Sequence, residues 1–169
     1  FTLRQNKGEA VLPGSLLHKR AMAEKISFPA CYDPASGQKG EILGTLGITL
    51  LPPEGSGRDT VVRAEMPVDD RTAQCYGYLS GSAMLAVEEA LAGFGSTRLV
   101  PDGYKPVGTS VTANHVHAVP YGESVTAEAH CLHLGRTTHL WNVEVRDRQG
   151  RLVSTARVLN MIVPLRRAK

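Results

Sequence analysis

Two adjacent glutamates set in an apolar stretch are the residues of this 169-residue chain best placed to do chemistry. Glu88 and Glu89 interrupt the run 83–92 (A-M-L-A-V-E-E-A-L-A), which has a helical composition and no polar face. Such a helix is normally buried inside its protein. Consecutive helical residues point about 100° apart, so one glutamate can reach solvent while the other looks inward. An inward carboxylate is costly unless it has a partner or a task, such as taking a proton. Further on, His115 and His117 alternate along a strand-like segment and would share one face of it. Together with His130, Cys131 and His133 they could be imagined around a metal, but an H-x-H pair alone does not specify one, and no metal is assigned. Ser80 is not assigned as a hydrolase nucleophile. The nucleophile elbow needs a glycine two residues before the serine, and Tyr78 stands there.

The elements that must position these groups can be read from turn and period signals. The Gly-containing turn 76–81 (Y-G-Y-L-S-G) leads into the helix with Ser80 as a suitable N-cap, and Gly93 and Gly95 are stop signals behind it. Residues 1–14 show no sustained period and end in Pro13-Gly14; Ser15 could cap a short helix through Lys25. The prolines and glycines of 28–40 read as loop. An irregular N-terminal leader is therefore expected over 1–40 and one folded domain over 41–165. Within that domain, 43–51 and 60–66 read as a strand hairpin. The runs 107–119, 124–134, 139–146 and 152–163 read as four more strands. Trp141 alternates with apolar neighbours and is expected in the core or an interface. Two strands, one long helix and four antiparallel strands describe an α+β domain, a meander sheet wrapped on a single helix.

Composition excludes several classes. A hydrophobic fraction of 42% and a charged fraction of 21% are ordinary for a globular protein. The net charge of +3 is dispersed, and the tail Arg166-Arg167-Ala168-Lys169 reads as solvated, so no nucleic-acid partner is expected. No apolar run is long enough for a transmembrane helix, and the basic-then-apolar order of a signal peptide is missing. Cys31, Cys75 and Cys131 are widely spaced, without a Cys-x-x-Cys, and read as free thiols in the cytoplasm.

Several motifs in order along 44–163 resemble one family: M-P-V-D-D-R-T-A-Q at 66–74, G-Y-L-S-G-S-A at 77–83, Glu89, A-N-H-V-H at 113–117, H-L-G at 133–135 and W-N-V-E-V at 141–145. The chain is similar to hotdog-fold acyl-CoA thioesterases of the phenylacetate-pathway and dihydroxynaphthoyl-CoA type. That resemblance implies the hotdog fold, an antiparallel sheet around one long central helix. It also implies Glu89 as nucleophile or general base, the Gly81 N–H as oxyanion donor, and Gln74 as a positioning group at the thioester. Helix-start amides suit a developing negative charge. The family carries His-Gly where this chain has Ser80-Gly81, so Ser80 would have to act through its hydroxyl or a water. His115, His117, Gly135, Arg136 and Thr137 fall on positions that touch coenzyme A, and His117 replaces an arginine there. Glu88 falls on a small apolar position and reads as a structural neighbour. In the family the Gln74 and Gly81 positions of one subunit face the Glu89 position of the other, which implies a homodimer or homotetramer. Acyl-CoA is then substrate, and no further cofactor is called for. A catalytically weak hotdog module binding acyl-CoA or a protein partner is the alternative.

Overall fold

The computed structural model describes residues 42–165, so the leader expected over 1–40 and the helix capped by Ser15 lie outside the described residues. The chain enters through a short helix, α1 (Ile42–Leu46), and a two-residue strand, β1 (Thr49–Leu50). A single strand over 43–51 was expected. Gly47, at φ 68°, breaks that stretch in two, and only its far end pairs, with β2 (Val61–Pro67). A 3-10 turn (Gly57–Asp59) joins β1 to β2.

The long helix α2 spans Gly81–Thr97 and is followed by β3 (Tyr104–His115), β4 (Ser124–Leu134), β5 (Thr138–Asp147) and β6 (Leu152–Pro164). All strand pairs are antiparallel, in the order β1-β2-β4-β5-β6-β3. The last three strands form a meander, but β3 crosses to the far side and pairs with β6 as an edge strand. Burial alternates along β4, β5 and β6, and the inward set packs on α2. Val62, Ala64, Val87, Leu91, Trp141 and Val143 lie in this core without solvent exposure. The result is the hotdog arrangement expected from the motifs.

The helix does not stop at Gly93 or Gly95. A Cβ at Gly95 would stand 2.5 Å from Cη2 of the Trp141 ring, so the glycine serves as a seat for the indole rather than as a cap. Trp141 Nε1–H donates to Ser96 Oγ (2.8 Å), and Asn160 Nδ2 donates to Ser96 Oγ and to the Ala92 carbonyl (2.9 and 3.1 Å). These bonds tie the last turns of α2 to β5 and β6. The helical cost of a glycine, about 1 kcal/mol, is small beside the burial of a whole indole.

Candidate active site

The turn before α2 is rigidly built. Gln74 N–H donates to the Tyr78 carbonyl (2.8 Å), Gly77 N–H to the Gln74 carbonyl (3.0 Å), and Tyr76 N–H to Gln74 Oε1 (2.9 Å). Gly77 sits at φ 79°, a left-handed conformation that glycine takes without strain. Ser80 N–H is fixed on the Thr72 carbonyl (2.8 Å), and Leu79 N–H on that of Val119 (2.8 Å). Ser80 is the N-cap residue but makes no capping hydrogen bond. Its hydroxyl pairs with Ser82 Oγ at 2.7 Å. The first-turn amides of α2 are thus left without a side-chain cap, the condition in which a helix start can receive an oxyanion.

Gln74, Gly81, His115 and His117 line one open cleft of about 390 Å³, together with Tyr78 and Met84. Ser80 instead lines a separate groove beside α1, with Arg71 and Thr72. His115 ends β3, with Nδ1 2.9 Å from Ser154 Oγ. A Cβ at position 81 would lie 3.1 Å from His115 Cδ2 and 3.2 Å from Nε2, so the ring covers the start of the helix. His117 follows the end of β3 rather than continuing it. Its Nε2 is 3.9 Å from Asp147 Oδ2. Burial raises the Asp147 carboxyl, but the backbone N–H and guanidinium of Arg151, with the Gln149 amide, outweigh it and hold the group below its ordinary range.

The two glutamates separate cleanly. Glu88 is fully buried in α2, whereas Glu89 is exposed and lies against β3, where a Cβ at Gly108 would stand 2.5 Å from its Oε1. Glu88 Oε1 accepts from Ser154 Oγ (2.5 Å), and its Oε2 has no hydrogen-bond partner among the described residues. Burial pushes its carboxyl up to about 7, against the opposing pull of the Ser154 bond. Sequence reasoning gave Glu88 no functional place. Its adjacency to Glu89 carried the only hint, since one of the pair had to face inward.

Within a single chain the expected site residues fall into two groups. The β3–β6–β5 register pairs His115 with Ser154 and Ser154 with Val145 at one end of the sheet. At the other end Val107 pairs with Met161 and Met161 with Thr138. Gln74, Gly81, His115 and His117 occupy the first end. Glu89, beside Gly108, and the turn of Gly135, Arg136 and Thr137 occupy the second. The seven residue steps from Gly108 to His115 correspond to roughly 23 Å. Arg136 is exposed on that turn, and Thr137 contributes its carbonyl to Ile162 N–H (2.9 Å). Among the described residues no three His, Cys, Asp or Glu side chains converge as metal ligands.

A hotdog sheet on a long helix, with an open cleft at the helix start, is a framework that thioesterases use, and comparison with known proteins points to that family. Residues 76–154 match the family model of the thioesterase superfamily. A Pseudomonas aeruginosa protein named as an esterase is 37% identical over 77% of this chain and 87% of its own length. Its structure, described as a thioesterase and carrying a glutamine substitution, superposes with a TM-score of 0.68 over 78% of this chain and 91% of that one, at 36% identity. The proofreading thioesterase EntH of Cronobacter sakazakii is 38% identical over 62% of this chain and 76% of its own. Two structures of a Staphylococcus aureus protein, called a thioesterase in one of them, have TM-scores of 0.65 and 0.67 at 30% identity. They cover 73% and 74% of this chain and 98% and 100% of theirs. One carries a glutamine-to-alanine change, the other a glutamate-to-alanine change fifteen positions further on. The chain belongs to the thioesterase superfamily.

Proposed function

We propose that the protein hydrolyses acyl-CoA thioesters to a carboxylic acid and free coenzyme A, at a site shared between two copies of the chain. The observation that carries this reading is the division of the expected residues between the two ends of β3. The edge strand is exposed along nearly its whole length, and an unpaired edge invites a second strand. Two-fold antiparallel pairing of β3 with itself, centred between Val111 and Thr112, sets Gly108 of one subunit opposite His115 of the other. That pairing carries the partner subunit's Glu89 and Arg136 toward the cleft of Gln74, Gly81 and His115, so that one thioester and its nucleotide can meet both groups.

In this arrangement the Gly81 N–H and the positive end of α2 polarise the thioester carbonyl, with Gln74 holding the acyl end. The partner's Glu89 removes a proton from the attacking water, or attacks the carbonyl carbon itself; the C–S bond then breaks and the thiolate departs with the nucleotide. Arg136 suits a phosphate on the nucleotide side. The spacing of Gln74 and Glu89, fifteen positions, is also that of the glutamine and glutamate substituted in the Staphylococcus aureus relative. The motif resemblance makes aromatic acyl groups the first to try, and the free thiols at Cys75 and Cys131 fit a reducing cytoplasm.

The test is a hydrolysis panel of aromatic and aliphatic acyl-CoAs with wild type and Glu89→Gln. Loss of the carboxylate is expected to lower kcat by about 10²–10⁴-fold with the fold intact, because a carboxamide neither takes the proton nor attacks carbon. Full activity in Glu89→Gln would remove the chemistry from this residue. A wild type inactive on every thioester would turn the reading toward a binding module.

A further inference from the structure

Glu88 has no part in the reaction just described, yet it is a carboxylate held in the apolar interior. It is fully buried, and among the described residues one carboxyl oxygen has no partner and the other is bonded only to Ser154. Ser154 in turn touches His115 Nδ1, whose ring places Cδ2 and Nε2 over Gly81. Helix α2, β6 and β3 each supply one member of a chain that runs from the core to the cleft. We propose that Glu88 and Ser154 are positioning residues for His115, setting its tautomer so that Nε2–H is a second hydrogen-bond donor to the thioester carbonyl beside the Gly81 amide. This rests on the cleft being the thioester site.

The argument is a count of protons along three groups. With Glu88 ionised and His115 neutral, the Ser154 hydroxyl donates to Glu88 Oε1. Nδ1 must then donate to Ser154 Oγ, and Nε2 presents a lone pair. One added proton reverses this wherever it settles. On His115 it gives an imidazolium with Nε2–H directly. On Glu88 it belongs on Oε1, where Ser154 Oγ stands 2.5 Å away to accept it, whereas Oε2 has no hydrogen-bond partner among the described residues. Oε1–H then donates to Ser154, Ser154 donates to Nδ1, and Nε2 carries the ring proton. Both one-proton states offer a donor to the cleft, and only the deprotonated state withdraws it.

Among the described residues, the surrounding groups leave this chain to itself. The core side chains of β2, β4 and β5 on this side, among them Ala64, Met66, Ala127, Val143 and Val145, carry no charge. His117 lines the cleft but leans toward Asp147, which Arg151 holds. Glu89 follows Glu88 on α2 but faces Gly108. Burial already holds the Glu88 carboxyl near the middle of the pH scale, so the proton is exchanged under ordinary conditions.

Nitrogen-resolved NMR of the His115 ring, measured beside thioester kinetics, tests this. In wild type at about pH 9 the ring is expected as the Nδ1–H form, and in Ser154→Ala as the Nε2–H form that a free imidazole prefers. Ser154→Thr keeps the hydroxyl and is expected to retain the wild-type tautomer. Below neutrality Ser154→Ala, its ring no longer held, is expected to lose about 10²-fold in kcat with little change in KM. In wild type kcat is expected to fall as the three-residue chain loses its proton at alkaline pH; Glu88→Ala leaves the Ser154 hydroxyl free to donate to Nδ1 of the neutral ring, so that fall is expected to disappear. An identical tautomer in wild type and Ser154→Ala at about pH 9 would overturn the link between the three residues. A changed tautomer with unchanged kcat would overturn the role of Nε2 as donor. A wild type inactive on all thioesters would refute the function reading, and the spectra would still decide whether Glu88 and Ser154 set the tautomer.

Discussion

Glu88 costs the folded protein stability in a pH-dependent way whatever its role in turnover. Its carboxyl rises from 4.5 to about 7 on folding, so between those values the native state binds more proton than the unfolded chain. The sign follows from linkage: with the folded value raised, stability is greatest below the unfolded value and is lost as pH rises through the folded one. The full loss is on the order of 3 kcal/mol. Urea unfolding should therefore give a lower midpoint at pH about 8 than at about 5, and Glu88→Gln should flatten most of that difference. A slope unchanged in Glu88→Gln would assign the pH dependence to other groups.

Among the elements, α2 shows where local signals end and tertiary contact takes over. Gly93 and Gly95 have the composition of a helix stop, yet the helix runs to Thr97 because β5 delivers Trp141 onto Gly95 and Ser96 caps its indole N–H. Gly95→Ala should improve helix propensity and still destabilise the protein, by roughly 1–3 kcal/mol, since the methyl meets a ring with no room to move. Denaturant midpoints would show it, and a stabilised variant would mean that the indole can shift. The same lesson covers the rest of the reading. The later strands and the buried helix were legible because their alternation and apolar run are local properties. The split of 43–51 into α1 and β1 turned on one glycine at positive φ. The edge position of β3 was not legible, since pairing order is not written in any one segment and a plain meander would have kept β3 beside β4. The cleft residues were legible as motifs. Glu88 was not, because its partner Ser154 is 66 residues away and only the β3–β6 register brings His115 to the same place.

At the scale of the whole molecule, a site divided between two subunits has a consequence that a site within one chain does not. Glu89→Gln and Gln74→Ala subunits would each be inactive alone. Mixed by unfolding and refolding together, half of the dimers carry one of each, with one site intact and the other doubly impaired. About a quarter of wild-type turnover is expected to return. Separate inactive variants that stay inactive when mixed would place the whole site in one chain.

If β3 pairs with a second copy as proposed, the exposed edge strand also sets how activity responds to the abundance of the chain. If β3 is covered only by a second copy, a lone subunit holds half of a catalytic apparatus and no working one. Turnover per subunit then ceases to be a constant: it falls on dilution below the dissociation constant of the pair and recovers when protein is added back. A progress curve begun from a dilute stock should show a lag that shortens as protein concentration rises. In a cell the same mass action would couple flux through the thioester to the square of the amount of chain made, so that low expression is nearly silent and a modest rise in synthesis is amplified.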